Sequence, residues 1–394
     1  MFSDLAAEMI YAIGCKTTTA DQKSLRAVSR QFRSIIEPIF CANASLSLKL
    51  ELDSDTPSQL EILATGKTAW SHCQKLRIHS LACPAEKADQ VRKSLRPALE
   101  ALTNIRSVRL GLGKSDAPWA QATVIDVLNK TRRQLELDFV GNPEYTVPEI
   151  AERALAPISN LRSLSISALD VDWTPESGFT KWILQTVRAS PQLESLYLVP
   201  ASMGCCSDIC RVLEEMNIRL KSVFVKYPTL QSLPRYLASY SGLERLRLGV
   251  VWREAMGATL LNDILPRHVE SLVELSLVGN AGEVCNFGQH NIALISQMTR
   301  LERLEMSFSP STPAGLREAI ELFLKTVATL PLIRDIALLP AHYHGTSCGG
   351  ANEVQTCANG DRVTQILKDL GYPKESVLGR LIETHHVNTY SEFW

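Results

Sequence analysis

Four residues toward the carboxy-terminal end have the chemistry to hold a metal: His342, His344, Cys348 and Cys357. Imidazole nitrogens and thiolates are the ligands that close a tetrahedral zinc site. Their spacing argues against one. Cys348 and Cys357 stand nine positions apart, whereas structural zinc pairs its cysteines across about two to four residues. The surrounding run, AHYHGTSCGGANEVQTCANG, is rich in glycine and reads as a linker. Cys205, Cys206 and Cys210 in MGCCSDICR also miss the paired spacing and read as a turn and helix start behind a strand. His385 and His386 have no partner motif. GLGKSDAP, Gly111 to Pro118, has the flavour of a phosphate loop but lacks the first glycine of a full one. It also falls where a strand would end in a glycine turn. There is no GxSxG, HExxH or dinucleotide fingerprint, and no credible nucleophile–base pair. The expectation is a protein with no catalytic residue, no metal and no cofactor, acting by binding.

The elements that would position a binding surface are written in a phrase that recurs ten times: aliphatic, two others, aliphatic, one other, aliphatic. Its clearest copies are LRSLSI from Leu161, LESLYL from Leu193, LERLRL from Leu243, LVELSL from Leu272 and LERLEM from Leu301. Weaker copies are CQKLRI from Cys73, IRSVRL from Ile105, RRQLEL from Arg132, LKSVFV from Leu220 and IRDIAL from Ile333. The steps between copies run from 23 to 32 residues. The last two aliphatic residues are two apart, which puts both on one face of a strand. Between the phrases, 119–130, 179–188, 208–217 and 314–327 show helical spacing. One short strand and one helix per unit is the grammar of a leucine-rich repeat. The fold expected is an α/β solenoid, a leucine-rich-repeat horseshoe, entered through a strand at NASLSL, Asn43 to Leu48. A doubly wound sheet would prefer longer, continuously apolar strands.

In a horseshoe the strands line the concave face. The residues before and between the last two aliphatic positions point into it. These make the face basic at its start, with Arg77 and Arg109, then Gln134 and Glu136. Serines follow, and the last repeats are mixed or acidic, with Glu274, Glu305 and Asp335. Tyr197 and Phe224 place aromatics at the centre, with Arg245 and Arg247 one strand on. Tyr and Arg most often anchor interfaces, so Arg77, Arg109, Tyr197, Phe224, Arg245 and Arg247 are the candidate protein-substrate contacts. The bland reading leaves them solvated or covered by a loop.

Of the 394 residues, 45% are hydrophobic and 21% charged, and the formal net charge is −1. That balance gives no reason to expect a nucleic-acid or membrane-surface partner. No apolar run approaches the length of a membrane span. The opening MFSDLAAEMIY has no basic n-region and carries Asp4 and Glu8, unlike a signal peptide. The ten cysteines are expected as free thiols in a reducing compartment, the cytoplasm or nucleus.

Residues 4–40 read as three helices. Leu5, Met9, Ile10 and Ile13 form the stripe of the first. Thr19 with Gln22 suggests a capping box for the second, through Val28. Ser29 caps a third that carries Phe32, Ile35 and Ile36 and is expected to end at Pro38. Leu5 with Glu8, the stretch SLRAVSRQFR and EPIF leading into the repeats resemble the F-box domain that opens many fungal F-box proteins with leucine-rich repeats. Ala6 stands where that family usually has proline. The resemblance implies docking on the Skp adaptor of a cullin–RING ubiquitin ligase through Leu5, Ile10, Leu25, Val28 and Phe32, with the repeats holding an unidentified protein substrate. The alternative is a helical cap on an interaction scaffold with no ligase. The domains expected are an F-box-like segment at 1–42, the solenoid at 43–340, a Gly-rich loop at 341–360 and a helical segment at 361–394. In the last, Leu370, Gly371 and Tyr372 resemble the loop of a UBA-like domain, and a helical cap is the other reading.

Overall fold

The computed structural model describes residues 6–50, 56–66, 69–112, 116–130, 135–141, 156–168, 177–200, 204–226, 232–249, 254–278, 285–308, 313–340, 365–366 and 368–371. The chain divides into two compact units, Met1–Leu193 and Glu194–Trp394. The boundary falls inside the stretch that the sequence reading treats as one solenoid.

The first unit opens with α1 (Ala7–Lys16), α2 (Thr19–Leu25) and α3 (Arg30–Asn43). The cap of α2 is Thr18, one residue before the expected Thr19. Its Oγ1 accepts from the Asp21 amide at 3.2 Å and donates to the Asp21 carboxylate at 2.7 Å. Ser29 caps α3 by accepting from the Phe32 amide. Contrary to expectation, α3 runs through Pro38 to Asn43. Proline removes one amide donor but leaves the rest of the ladder intact, and the turn beyond it places Cys41 in the interior.

The strands and their connecting helices follow: β1 (Ser45–Lys49), α4 (Thr56–Ala64), β2 (Lys75–Ser80), α5 (Ala88–Glu100), β3 (Ser107–Leu112), α6 (Pro118–Lys130), β4 (Leu135–Gly141), β5 (Leu161–Ala168) and α7 (Gly178–Arg188). Short 3-10 turns lie at Ala69–His72 and Ala85–Lys87. The sheet order is β1-β2-β3-β4-β5, and every pair is parallel. Pairing aligns Leu46, Leu76, Val108, Leu137 and Leu164 in one row and Leu48, Ile78, Leu110, Phe139 and Ile166 in a second. All ten are buried.

This register corrects one phrase. RRQLEL was expected to contribute Leu135 and Leu137, with Gln134 and Glu136 outward. Leu137 and Phe139 occupy the two interior positions instead, so Glu136 and Asp138 point out. Gln134 lies outside the described residues. The reason is packing. Phe139 fills the space beneath the helices, with its ring 4.8 Å from Phe179 and 6.0 Å from Trp182, centroid to centroid. A pattern admitting only aliphatic residues passes over it.

The second unit contains β6 (Ser195–Pro200), α8 (Gly204–Glu215), β7 (Ser222–Val225), α9 (Ser232–Ala238), β8 (Arg245–Leu248) and α10 (Glu254–Thr259). A π-helical stretch, Leu260–Ile264, leads into α11 (Leu265–His268). Then come β9 (Glu274–Leu277), α12 (Ile292–Ile295), β10 (Arg303–Phe308), α13 (Pro313–Val327) and β11 (Asp335–Pro340). The order β6 to β11 is sequential. Leu196, Val223, Leu246, Leu275, Leu304 and Ile336 share one row, and Leu198, Val225, Leu248, Leu277, Met306 and Leu338 the next. Each unit is thus a parallel sheet, and among the described residues a helical segment joins every strand pair within a unit except β4 and β5, in keeping with the leucine-rich-repeat grammar.

Polar side chains tie one repeat to the next. Ser190 accepts from the Leu161 amide at 3.1 Å. The Tyr236 hydroxyl accepts from the Leu220 amide and donates to the Ile218 carbonyl at 2.8 Å. His268, fully buried, accepts at Nδ1 from the Leu243 amide and lies 3.0 Å from the Leu237 carbonyl through Nε2. Those partners require the neutral imidazole with its proton on Nε2. Of the segment 361–394, expected to be helical, only 365–366 and 368–371 are described. Gly371, at φ 58°, supplies the left-handed stop.

Two predictions follow from this packing. Leu246 is fully buried between Val223 and Leu275. Leu246→Ala should destabilise the second unit by about 2–5 kcal/mol in urea unfolding. Burial, the largest cause, holds the His268 pKa below its ordinary value. Below about pH 6.5 the unfolded chain therefore binds a proton that the folded chain refuses. Stability should fall as pH drops through that value. His268→Ala should be less stable at neutral pH yet lose less on acidification, as read from urea midpoints across the pH range.

Candidate interaction surfaces

The amino-terminal helices have a core of their own. Ile10, Phe32 and Ile36 are buried together, with Leu25, Ile35 and Ile39 packed around them. A Cβ on Gly14 would fall 2.5 Å from the Ile36 side chain, so α1 and α3 approach closely where that glycine sits. Gln22, also buried, donates through Nε2 to the Gly14 and Thr17 carbonyls and so fastens α2 to the end of α1. Arg26 pairs with Glu37 at 2.7 Å and lies over the Phe40 ring.

This arrangement sorts the five residues expected to dock an adaptor. Ile10 is 0% and Phe32 3% exposed, so both belong to the interior and not to a contact surface. Leu25 is half-buried against them. Val28 is 52% exposed. Leu5 lies outside the described residues. The apolar side chains that do reach the surface on α1 are Met9, Tyr11 and Ile13, which the sequence reading did not single out for contact. An apolar stripe on a short helix shows that something is buried, but not which edge of the stripe.

In the first unit, the outward row across the strands is Ser47, Arg77, Arg109, Asp138 and Ser165, one residue per strand. Arg109 donates through Nε to Asp138 at 2.5 Å, and Ser165 donates to the other oxygen of the same carboxylate at 2.8 Å. Arg77 is exposed and has no ion pair among the described residues. The phosphate-loop-like segment is structural where it is described. A Cβ on Gly111 would fall 3.0 Å from the His79 carbonyl, and Asp116 accepts from the Leu81 amide at 2.8 Å.

In the second unit, Tyr197 and Phe224 stack face to face, with centroids 4.1 Å apart and planes 6° from parallel. Tyr197 is 37% exposed and covers Phe224, which is 8% exposed. The candidate arginines part company. Arg247 is held by Glu274 through two guanidinium nitrogens, one of them Nε at 2.5 Å. Arg303 lies between Glu274, at 3.6 Å, and Asp335, at 3.4 Å. Arg245 is exposed and has no ion pair among the described residues. Glu305 is only 5% exposed and accepts from Ser276 at 2.9 Å. Burial pushes its carboxyl up, opposed by that hydrogen bond and by Arg303 and Arg247.

No family model matches the chain, and no curated protein matches it. Among solved structures, a chain in the crystal structure of the Rad7 and Elc1 complex in yeast is similar over 88% of this chain and 91% of that one, at 14% identity and a TM-score of 0.40.

Among the described residues, no group of three His, Cys, Asp or Glu side chains is placed to hold a metal. His342, His344, Cys348 and Cys357 lie outside them, as do His385 and His386. Cys206 and Cys210 are buried on α8. No described helix is long and apolar enough to cross a membrane.

The Arg247–Glu274–Arg303 chain predicts a structural role for Arg247 beside any contact role. Glu274→Gln should lower the stability of the second unit by about 1–2 kcal/mol, because two arginines lose their shared carboxylate. Urea unfolding measures this, and raising the salt concentration should narrow the gap.

Proposed function

We propose that the protein is the substrate-recognition subunit of a Skp–cullin–F-box ubiquitin ligase. The observation supporting this is the amino-terminal helical unit. Its core is filled by its own side chains, yet Met9, Tyr11, Ile13 and Val28 present apolar surface to solvent. Exposed apolar surface of this kind on a small helical unit fits a docking site for another protein. The Skp adaptor is the partner implied by the F-box resemblance. The strand faces then hold a protein substrate, and the protein performs no bond chemistry itself. It acts in the cytoplasm or nucleus, raising the concentration of substrate beside the ubiquitin-transfer machinery.

A second reading rests on a different observation. α3 packs against the 3-10 turn Ala69–His72 and against β1, as a cap on an interaction scaffold would. Affinity capture with purified Skp adaptor separates the two. The ligase reading expects the wild-type chain to be retained and the double variant Tyr11→Asp, Val28→Asp to be lost, with an unchanged circular dichroism melt. A folded wild-type chain that the adaptor does not retain leaves the scaffold reading.

A further inference from the structure

The outward residues of the first three strands are short of negative charge. Lys49 on β1, Lys75, Arg77 and His79 on β2, and Arg109 on β3 are all exposed on one face. The only acidic residues on the outward positions of the neighbouring strand β4 are Glu136 and Asp138. Arg77 and Arg109 are register partners. Adjacent strands lie about 4.8 Å apart, and like charges directly opposite each other destabilise a sheet. Asp138 neutralises Arg109 alone. His79, though largely exposed, is held below its ordinary pKa, first by partial desolvation of its ring and then by Lys49, Arg77 and Arg109, which all act on the same ring.

In the described strands of the second unit no arginine has an arginine as its register partner. There Arg247 and Arg303 are each placed against a carboxylate of the chain itself. Among the described residues of the first unit, Asp138 is the one carboxylate that meets the Arg77–Arg109 pair, and it meets Arg109.

We infer that the strand face of the first unit binds an extended acidic peptide segment, with carboxylate side chains at alternate positions, across Lys75, Arg77, His79 and Arg109. The match is one of charge and period. Outward residues on β2 recur every second position, about 6.6–7 Å apart, as do same-side residues of an extended peptide. Arg77 sits at the centre, where a carboxylate meets its guanidinium and offsets the repulsion from Arg109. Nucleic acid fits less well. The cationic patch spans three strands, its outward positions include no Phe, Tyr or Trp on which bases could stack, and the chain as a whole carries a net charge of −1. The inference rests on the recruitment reading for what the segment would be, namely part of the substrate. The surface is tested without the adaptor, so a failure here and a failure of adaptor docking are distinguishable.

The test is fluorescence anisotropy of the full chain with a fluorescein-labelled peptide of alternating Glu and Ser, at low ionic strength. Saturable binding is expected, weakening as salt is added. Arg77→Glu should lower affinity about tenfold or more. The same variant should melt no lower than wild type, because it replaces a like-charge pair with an opposite one. Arg245→Glu in the second unit should change affinity by less than about twofold. The inference is overturned if the peptide does not bind or if Arg77→Glu binds it as well as wild type. It is equally overturned if a phosphoserine version binds while the Glu version does not, or if a single-stranded DNA oligonucleotide binds more tightly with the same dependence on Arg77.

Discussion

Parallel pairing in register is the constraint on which each unit depends. Within a unit, the interior residue of one strand stands beside the interior residue of the next, and the backbone amides and carbonyls between them are satisfied by that alignment. Side chains alternate with period two, so a slip of one residue would exchange the buried row for the solvent row. The surfaces are therefore set by the core. Once Val108 and Leu110 are buried against Leu76 and Ile78, Arg109 must emerge beside Arg77. Once Leu246 and Leu248 are buried, Arg247 must emerge beside Phe224 on one side and Ser276 on the other.

The two units answer that obligation in different chemistry. In the second, the outward rows are largely satisfied from within. Two aromatic rings cover each other, two arginines share carboxylates, and Glu305 is carried almost into the interior against Ser276. A partially buried ion pair adds little net stability, but a partially buried charge without its partner is costly. The ladder is thus better understood as a way to tolerate charges at these positions than as a source of strength. It also changes the meaning of Arg247, which looks like a free contact residue in the sequence and is a tied one in the structure. In the first unit, Arg77 remains untied among the described residues, and the face keeps an excess of positive charge.

The parts of this architecture that could be read in advance are those governed by local periodicity. The strand phase of nine phrases, the helices between them and the Ser29 cap follow from residue types a few positions apart. What was missed depends on partners far along the chain or on a choice among near-equivalent residues. Thr18 and Thr19 are both competent caps, and only the backbone decides between them. Phe139 belongs to the interior because Phe179 and Trp182, some forty residues away, leave room for a ring there. His268 and Tyr236 stand out in no motif, yet each satisfies the amide that opens an earlier phrase, at separations of 25 and 16 residues. The division of the chain at Leu193 leaves no mark in the repeat pattern.

The amino-terminal helices show the same limit in a sharper form. Met9, Ile10 and Ile13 sit on one stripe of α1, and a stripe wide enough to hold all three can bury only part of its width against a single neighbour. That neighbour is α3, on which both α1 and α2 pack. α3 in turn packs on β1 and the 3-10 turn before β2. A helical unit of this size has little core and needs support from elsewhere. α3 supplies it by leaning on the repeats, so α1 need not be covered for the unit to stand. Ile10 turns inward to Phe32 and Ile36, and Met9 and Ile13 are left at the surface. The feature that weakens the reading of these helices as a simple cap is therefore geometric. The helix that packs on β1 and the 3-10 turn is the third, and Met9, Tyr11 and Ile13 are uncovered on the first.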